Sequence, residues 1–211
     1  SVVQVLIEWI GNGSLWRNIG STLATLLLGY GIGALLGIAV GIALGMMPFV
    51  ESLVAPFISA LYGLPKVALL PLLIIAFGIG IASKAALVVS AVFFLLFYAT
   101  LGGIRDVDRD YVSSLVLMGA TRREIVAKVL LPSSLPWIYT GLRMSLGYAL
   151  TTTVVGEALS SNSGLGFLIA HSAVQFDSAG VFAAVVVLLV LSTFITVGLN
   201  AQEGRRGTGG A

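Results

Sequence analysis

The sequence predicts an all-α, polytopic membrane protein of about five transmembrane helices. Three observations carry that reading. The 211 residues are 58% hydrophobic and only 9% charged, against about 25% charged in an ordinary soluble domain. Mean hydropathy is +1.07. The apolar runs approach the roughly 20 residues that a helix needs to cross the hydrocarbon core. Windows of about 19 residues place spans at Ile19 to Met47, Val67 to Ile81, Ala85 to Ile104, Trp137 to Gly156 and Ala179 to Leu199. The second is the shortest, and Pro65, Lys66 and Pro71 crowd its start, so residues 48–71 are expected to include an interfacial helix. The stretch Ser1 to Ile10 carries Glu8 and lacks the charged leader and cleavage site of a signal peptide. Residues 1–200 read as a single domain, and the Gly-rich 201–211 as a disordered tail.

The charges set the orientation. The segment 105–136 holds Arg105, Arg109, Arg122, Arg123 and Lys128, whereas 158–178 holds no Lys or Arg. Positive loops stay in the cytosol, so the first loop is cytoplasmic, the second faces outward, and the tail with Arg205 and Arg206 lies inside. A net charge of +2 gives no reason to expect nucleic acid as a partner, and with no Cys there is neither a disulfide frame nor a thiolate metal site. His171 has no second ligand at metal spacing, and the serines of 160–164 have no base beside them, so neither metal nor catalytic residues are expected.

Span one carries Gly29, Gly33, Gly37, Gly41 and Gly45, one every fourth residue. On a helix these fall on one face and allow a second backbone to come close. Packing within the chain is the expected use, and a subunit interface is the alternative.

The cytoplasmic loop is the most informative stretch. Thr121 with Glu124 three residues later is a capping box, so a helix begins just after Gly119-Ala120. The loop therefore reads as helix, glycine turn, helix, with Leu115, Leu117, Met118, Ile125 and Val126 available to dock.

Gly119, nine residues and then Val129-Leu130-Leu131-Pro132 resembles the EAA loop of permease subunits of binding-protein-dependent ABC importers. Leu64-Pro65-Lys66, Leu70-Pro71-Leu72, Phe77-Gly78-Ile79-Gly80, Thr140-Gly141-Leu142-Arg143, Gly156-Glu157 and Ser163-Gly164-Leu165-Gly166 are similar to the nitrate, sulfonate and taurine branch. The Glu that names the loop is replaced: Ser113-Ser114-Leu115 stands where Glu-Ala-Ala would.

That resemblance implies a type I importer bundle in the bacterial inner membrane, with a coupling helix that docks on a cytoplasmic ATPase. It also implies a second permease subunit, as homodimer or paralogue, and an extracytoplasmic binding protein that delivers a small anion or a vitamin-precursor-like compound. The coupling set would be Ser113, Leu117, Met118, Gly119, Ala120, Thr121, Arg122, Arg123 and Glu124. ATP and Mg would belong to the ATPase, because this chain has no GxxxxGK[ST] phosphate cradle.

Polar residues inside spans are the candidates for the solute path. Span four offers Arg143, Tyr148, Thr151, Thr152 and Glu157. Intramembrane ionisable groups face protein or water, although hydroxyls such as those of Thr151 to Thr153 commonly bond back into their own helix. Lys84 reads as an interfacial anchor. The competing class, a channel or secondary transporter, would show inverted repeats and midplane carboxylates, and neither is visible here.

Overall fold

In lipid the backbone has only itself to bond to, and the chain meets that demand with helices throughout. The computed structural model describes residues 1–160 and 162–204. The helices are α1 (Val2–Gly11), α2 (Ser14–Gly45), α3 (Pro48–Gly63), α4 (Leu70–Phe77), α5 (Ile81–Arg105), α6 (Arg109–Leu117), α7 (Arg122–Ile125), α8 (Leu131–Ser160), α9 (Leu165–Val174) and α10 (Ser178–Gly204). Among the described residues four helical stretches are long and apolar enough to cross a membrane, or five if the bent pair Pro48–Gly63 with Lys66–Phe77 is counted as one span.

Three expected boundaries change. The second span is not a single helix from Val67 to Ile81: the chain is helical from Pro48, turns by 90° after Gly63, and resumes as a 3-10 turn, Lys66–Leu69, that leads into α4. Leu64 precedes Pro65, which disfavours helical angles at Leu64, and its φ of −69° and ψ of 135° are extended. The fourth span does not begin at Trp137. Helix runs without a break from Arg122 to Ser160, through Pro132 and Pro136. In a regular helix Pro132 would strike the carbonyl of Lys128. A π-helical turn over Val126–Leu130, closed by Leu131 N–H donating to the Val126 carbonyl, displaces that carbonyl. At 1.5 Å per residue the 39-residue rod is about 58 Å long, roughly twice the hydrocarbon thickness, and so longer than a crossing requires. Finally, α10 extends to Gly204, past the expected Leu199, while 205–211 lie outside the described residues.

The core forms where α2, α5 and α8 meet, with Leu26, Val88, Val92, Leu96 and Ala149 almost fully enclosed. Helix α5 is central, and α1 and α9 pack on α10 at one side. The glycine stripe of α2 lies along α5. A Cβ built on Gly29 would sit 2.5 Å from Val88 Cβ, and one on Gly37 would sit 2.6 Å from the Phe93 carbonyl oxygen. Gly33, Gly41 and Gly45 meet Val92, Thr100 and Ile104 in the same way.

A contrast between two glycines of α2 follows. Gly37→Ala meets backbone that cannot give and is expected to cost about 1–3 kcal/mol. Gly31→Ala meets nothing within 4 Å and should stabilise by up to about 1 kcal/mol through helix propensity. Thermal unfolding of the two variants in detergent checks this, and equal shifts would contradict the packing.

Candidate functional site

Two places gather polar and exposed side chains in a way that the fold alone does not require. The first is the elbow between α6 and α7. Asp108 caps α6, its carboxylate accepting from Asp110 N–H at 2.8 Å. The helix ends in a Schellman turn: Gly119 N–H donates to the Val116 carbonyl and Ala120 N–H to that of Leu115, both at 3.0 Å. Gly119 has a φ of +87°, in the left-handed region. Thr121 then opens α7. Its N–H donates to Glu124 Oε2 at 3.0 Å, and its Oγ1 accepts from Glu124 N–H at 3.3 Å.

The Thr121 N–H and hydroxyl, with Lys128 at 3.1 Å, hold the Glu124 carboxyl down at about 2, so it is ionised at any physiological pH. Its cap would weaken only as pH falls through that value.

The elbow pushes two apolar side chains outward, Leu117 at 88% exposure and Met118 at 83%. Large exposed apolar side chains on a polar loop mark a contact surface. Ser113, Gly119, Thr121, Arg122, Arg123 and Glu124 are also exposed, and Ala120 is half-exposed. Ile125 differs from the expectation. It is buried, facing the chain's own helices, so it is not free to dock.

Two contacts tie this elbow to the spans. Arg122 donates to the carbonyl of Met46 at the C-terminal end of α2. Arg105 at the end of α5 pairs with the largely buried Glu51 in the first turn of α3. Neither partner is legible from the sequence, since the residues stand 76 and 54 positions apart.

The second place is the other end of α8, where α9 packs against it. Glu157 is fully enclosed, and its Oε2 accepts from the Thr22 hydroxyl at 2.9 Å and from Gly166 N–H at 3.1 Å. Leu165 N–H donates to Thr22 Oγ1 at 2.9 Å, and Gly164 N–H to Asn18 Oδ1 at 2.7 Å. The first N–H groups of α9, which no helix can satisfy internally, are thus taken up by α2 and α8. A helix N-terminus also favours a carboxylate. A Cβ on Gly164 would collide with the Glu157 carboxyl, and one on Gly166 with the Val154 carbonyl, so both positions need glycine. Lys84 is 2% exposed and electrostatically engaged with Glu157. The expectation of an interfacial anchor is corrected accordingly: its ammonium is drawn inward by an acid on the neighbouring helix.

The geometry divides the remaining residues of span four. Thr152 is buried, and its hydroxyl bonds back to the Tyr148 carbonyl at 2.8 Å. Thr151 is exposed, with the same kind of back-bond to Gly147 at 3.1 Å. Arg143, Tyr148 and Thr151 lie on the exposed side of α8, and Arg143 lines a cavity against Ser192 and Thr196 of α10.

Comparison with known proteins gives one consistent picture. The profile of a family described as the binding-protein-dependent transport system inner membrane component matches residues 33–207. The chain is 32% identical over 194 residues to the taurine transport system permease protein TauC of Escherichia coli (strain K12), covering 92% of this chain and 70% of that one. It is 33% identical over 193 residues to the formylaminopyrimidine transport permease protein ThiX of Halalkalibacterium halodurans, covering 90% and 77%. Among solved structures, a chain of the MetNI methionine ABC transporter in an inward-facing conformation superposes with a TM-score of 0.75 at 20% identity, covering 92% and 94%. At that identity the likeness speaks for the fold.

Proposed function

Since the chain belongs to the family of binding-protein-dependent transport system inner membrane components, and is a permease subunit of an ABC importer in the inner membrane, we propose that it works by the following assembly. Two permease subunits enclose a path for a small solute, an anion of the nitrate, sulfonate or taurine kind or a vitamin-precursor-like compound. An extracytoplasmic binding protein delivers that solute. Each α6–α7 elbow seats in a cytoplasmic ATPase, which holds ATP and Mg.

The observation that carries this reading is the elbow: Leu117 and Met118 presented on a Schellman turn, next to a helix that runs as one rod from Arg122 to Ser160. A push on α7 is delivered to α8 by continuity, to α2 through Arg122, and the α5–α3 corner is braced by Arg105 and Glu51. The exposed side of α8, with Arg143, Tyr148 and Thr151, supplies the path.

The test is copurification. Tagged wild-type chain should bring down a nucleotide-binding subunit from its native membrane. Leu117→Asp with Met118→Asp should lose at least about tenfold of it, because burying even one unpaired carboxylate in an apolar seat costs more than the 1.4 kcal/mol that a factor of ten represents. Undiminished recovery of the ATPase by the double variant would overturn the docking role.

A further inference from the structure

The corner between α3 and α4 places a lysine where a membrane protein rarely tolerates one. Lys66 opens the 3-10 turn after the 90° bend. The cavity at this corner is bordered by Ala91 and Leu95, which straddle Phe93, the middle residue of α5, and by Tyr148 from the middle of α8. The ammonium therefore sits near half depth in the bundle.

Its surroundings hold it in place without cancelling its charge. Nζ donates to the carbonyls of Leu61 at 2.7 Å, Tyr62 at 2.9 Å and Leu64 at 3.1 Å, and lies 4.4 Å from the Phe94 ring centroid. The carbonyls are the open C-terminal end of α3, worth about half a negative charge. Among the described residues Lys66 forms no ion pair. Roughly half a positive charge is left facing the cavity, which holds about 390 Å³, the volume of roughly a dozen waters. Tyr62 and Tyr148, each about half exposed, border the same space.

Ionisable groups inside a membrane mark substrate paths by default, and interrupted spans with exposed helix ends are where transporters hold solutes near the midplane. Here both features coincide. We propose that Lys66, with Tyr62 and Tyr148, forms a mid-membrane waypoint that receives the anionic group of the transported solute, a sulfonate, carboxylate or oxyanion. The charge draws the anion in. The carbonyl cap keeps the ammonium from closing on it tightly, so that the solute can leave. This deepens the importer reading and rests on it for the direction of transport; the site itself is tested separately.

The absence of cysteine makes Tyr148→Cys a single thiol in this chain. In membrane vesicles carrying the assembled complex, its labelling rates by a negatively charged and a positively charged methanethiosulfonate would be compared. Each rate is normalised to that of a free thiol and read by mass on this chain. The half charge left facing this wet cavity should favour the anionic over the cationic reagent by about fourfold. The preference should collapse toward one in Lys66→Gln and persist in Lys66→Arg.

Equal rates, a faster cationic reagent, or no labelling by either would overturn the proposal. Should Lys66→Gln fail to fold, the parent thiol and the Lys66→Arg variant still decide it. An anion preference in a complex that never recovers an ATPase would uphold the site and sink the importer reading. A recovered ATPase with no preference would do the reverse.

Discussion

Glu157→Leu is expected to destabilise the subunit by about 3–5 kcal/mol, the penalty for removing one member of a buried charged or strongly hydrogen-bonded set. The leucine would leave the Thr22 hydroxyl and Gly166 N–H without their shared acceptor and would take away the acid that attracts the buried Lys84. Each buried donor left unmade costs about 1–3 kcal/mol by itself. The loss should fall first on α9, because its opening turn is pinned by these contacts. Thermal unfolding in detergent measures it. Glu157→Gln, which keeps an acceptor oxygen, should lose markedly less, and Lys84→Met combined with Glu157→Leu should lose less than the sum of the two single changes. A Glu157→Leu variant that melts with the wild type would mean that the knot around Glu157 holds nothing.

Gly119→Val is expected to abolish uptake while leaving the melting temperature within the range of a local backbone change. No neighbouring atom lies within 4 Å of a Cβ at this position, so the substitution disturbs nothing by contact. It acts through the backbone alone: a φ of +87° is forbidden ground for a β-branched residue and costs about 1–3 kcal/mol unless the turn opens. Opening the turn swings Leu117 and Met118 out of register with α7. In reconstituted vesicles, ATP hydrolysis should then continue without solute accumulation or lose its response to the binding protein. Gly119→Asn is the matched control, since Asn enters the left-handed region more readily, and it should retain most of the uptake. Wild-type uptake in the valine variant would remove the elbow from the coupling scheme.

What was legible in the sequence was local or periodic. The capping box at Thr121 and Glu124 needs only a spacing of three, and both reciprocal bonds are present. The glycine stripe needs only a spacing of four, and it lies on one partner, α5, along its length. Contacts that join distant segments left no such trace. Asn18 and Gly164 are 146 positions apart, and neither carries a signal of the other. Lys84 and Lys66 read alike on paper, as charges flanking the weakest span, yet one is sealed beside an acid and the other borders an open cavity. The prolines misled in a different way. Pro132 and Pro136 argued for the end of a loop, but one widened turn was enough to let the helix pass through the first of them.

The intimacy of α2 and α5 has a mechanical corollary. Teeth of Val88, Val92, Leu96 and Thr100 sit in notches four residues apart, so sliding one shaft along the other means lifting every tooth and travelling about 6 Å to the next notch. The two shafts therefore form a keel of fixed length and register. Whatever alternates during a turnover has to be found around that keel, in the cranked α3–α4 arm and in the long lever that begins at Arg122.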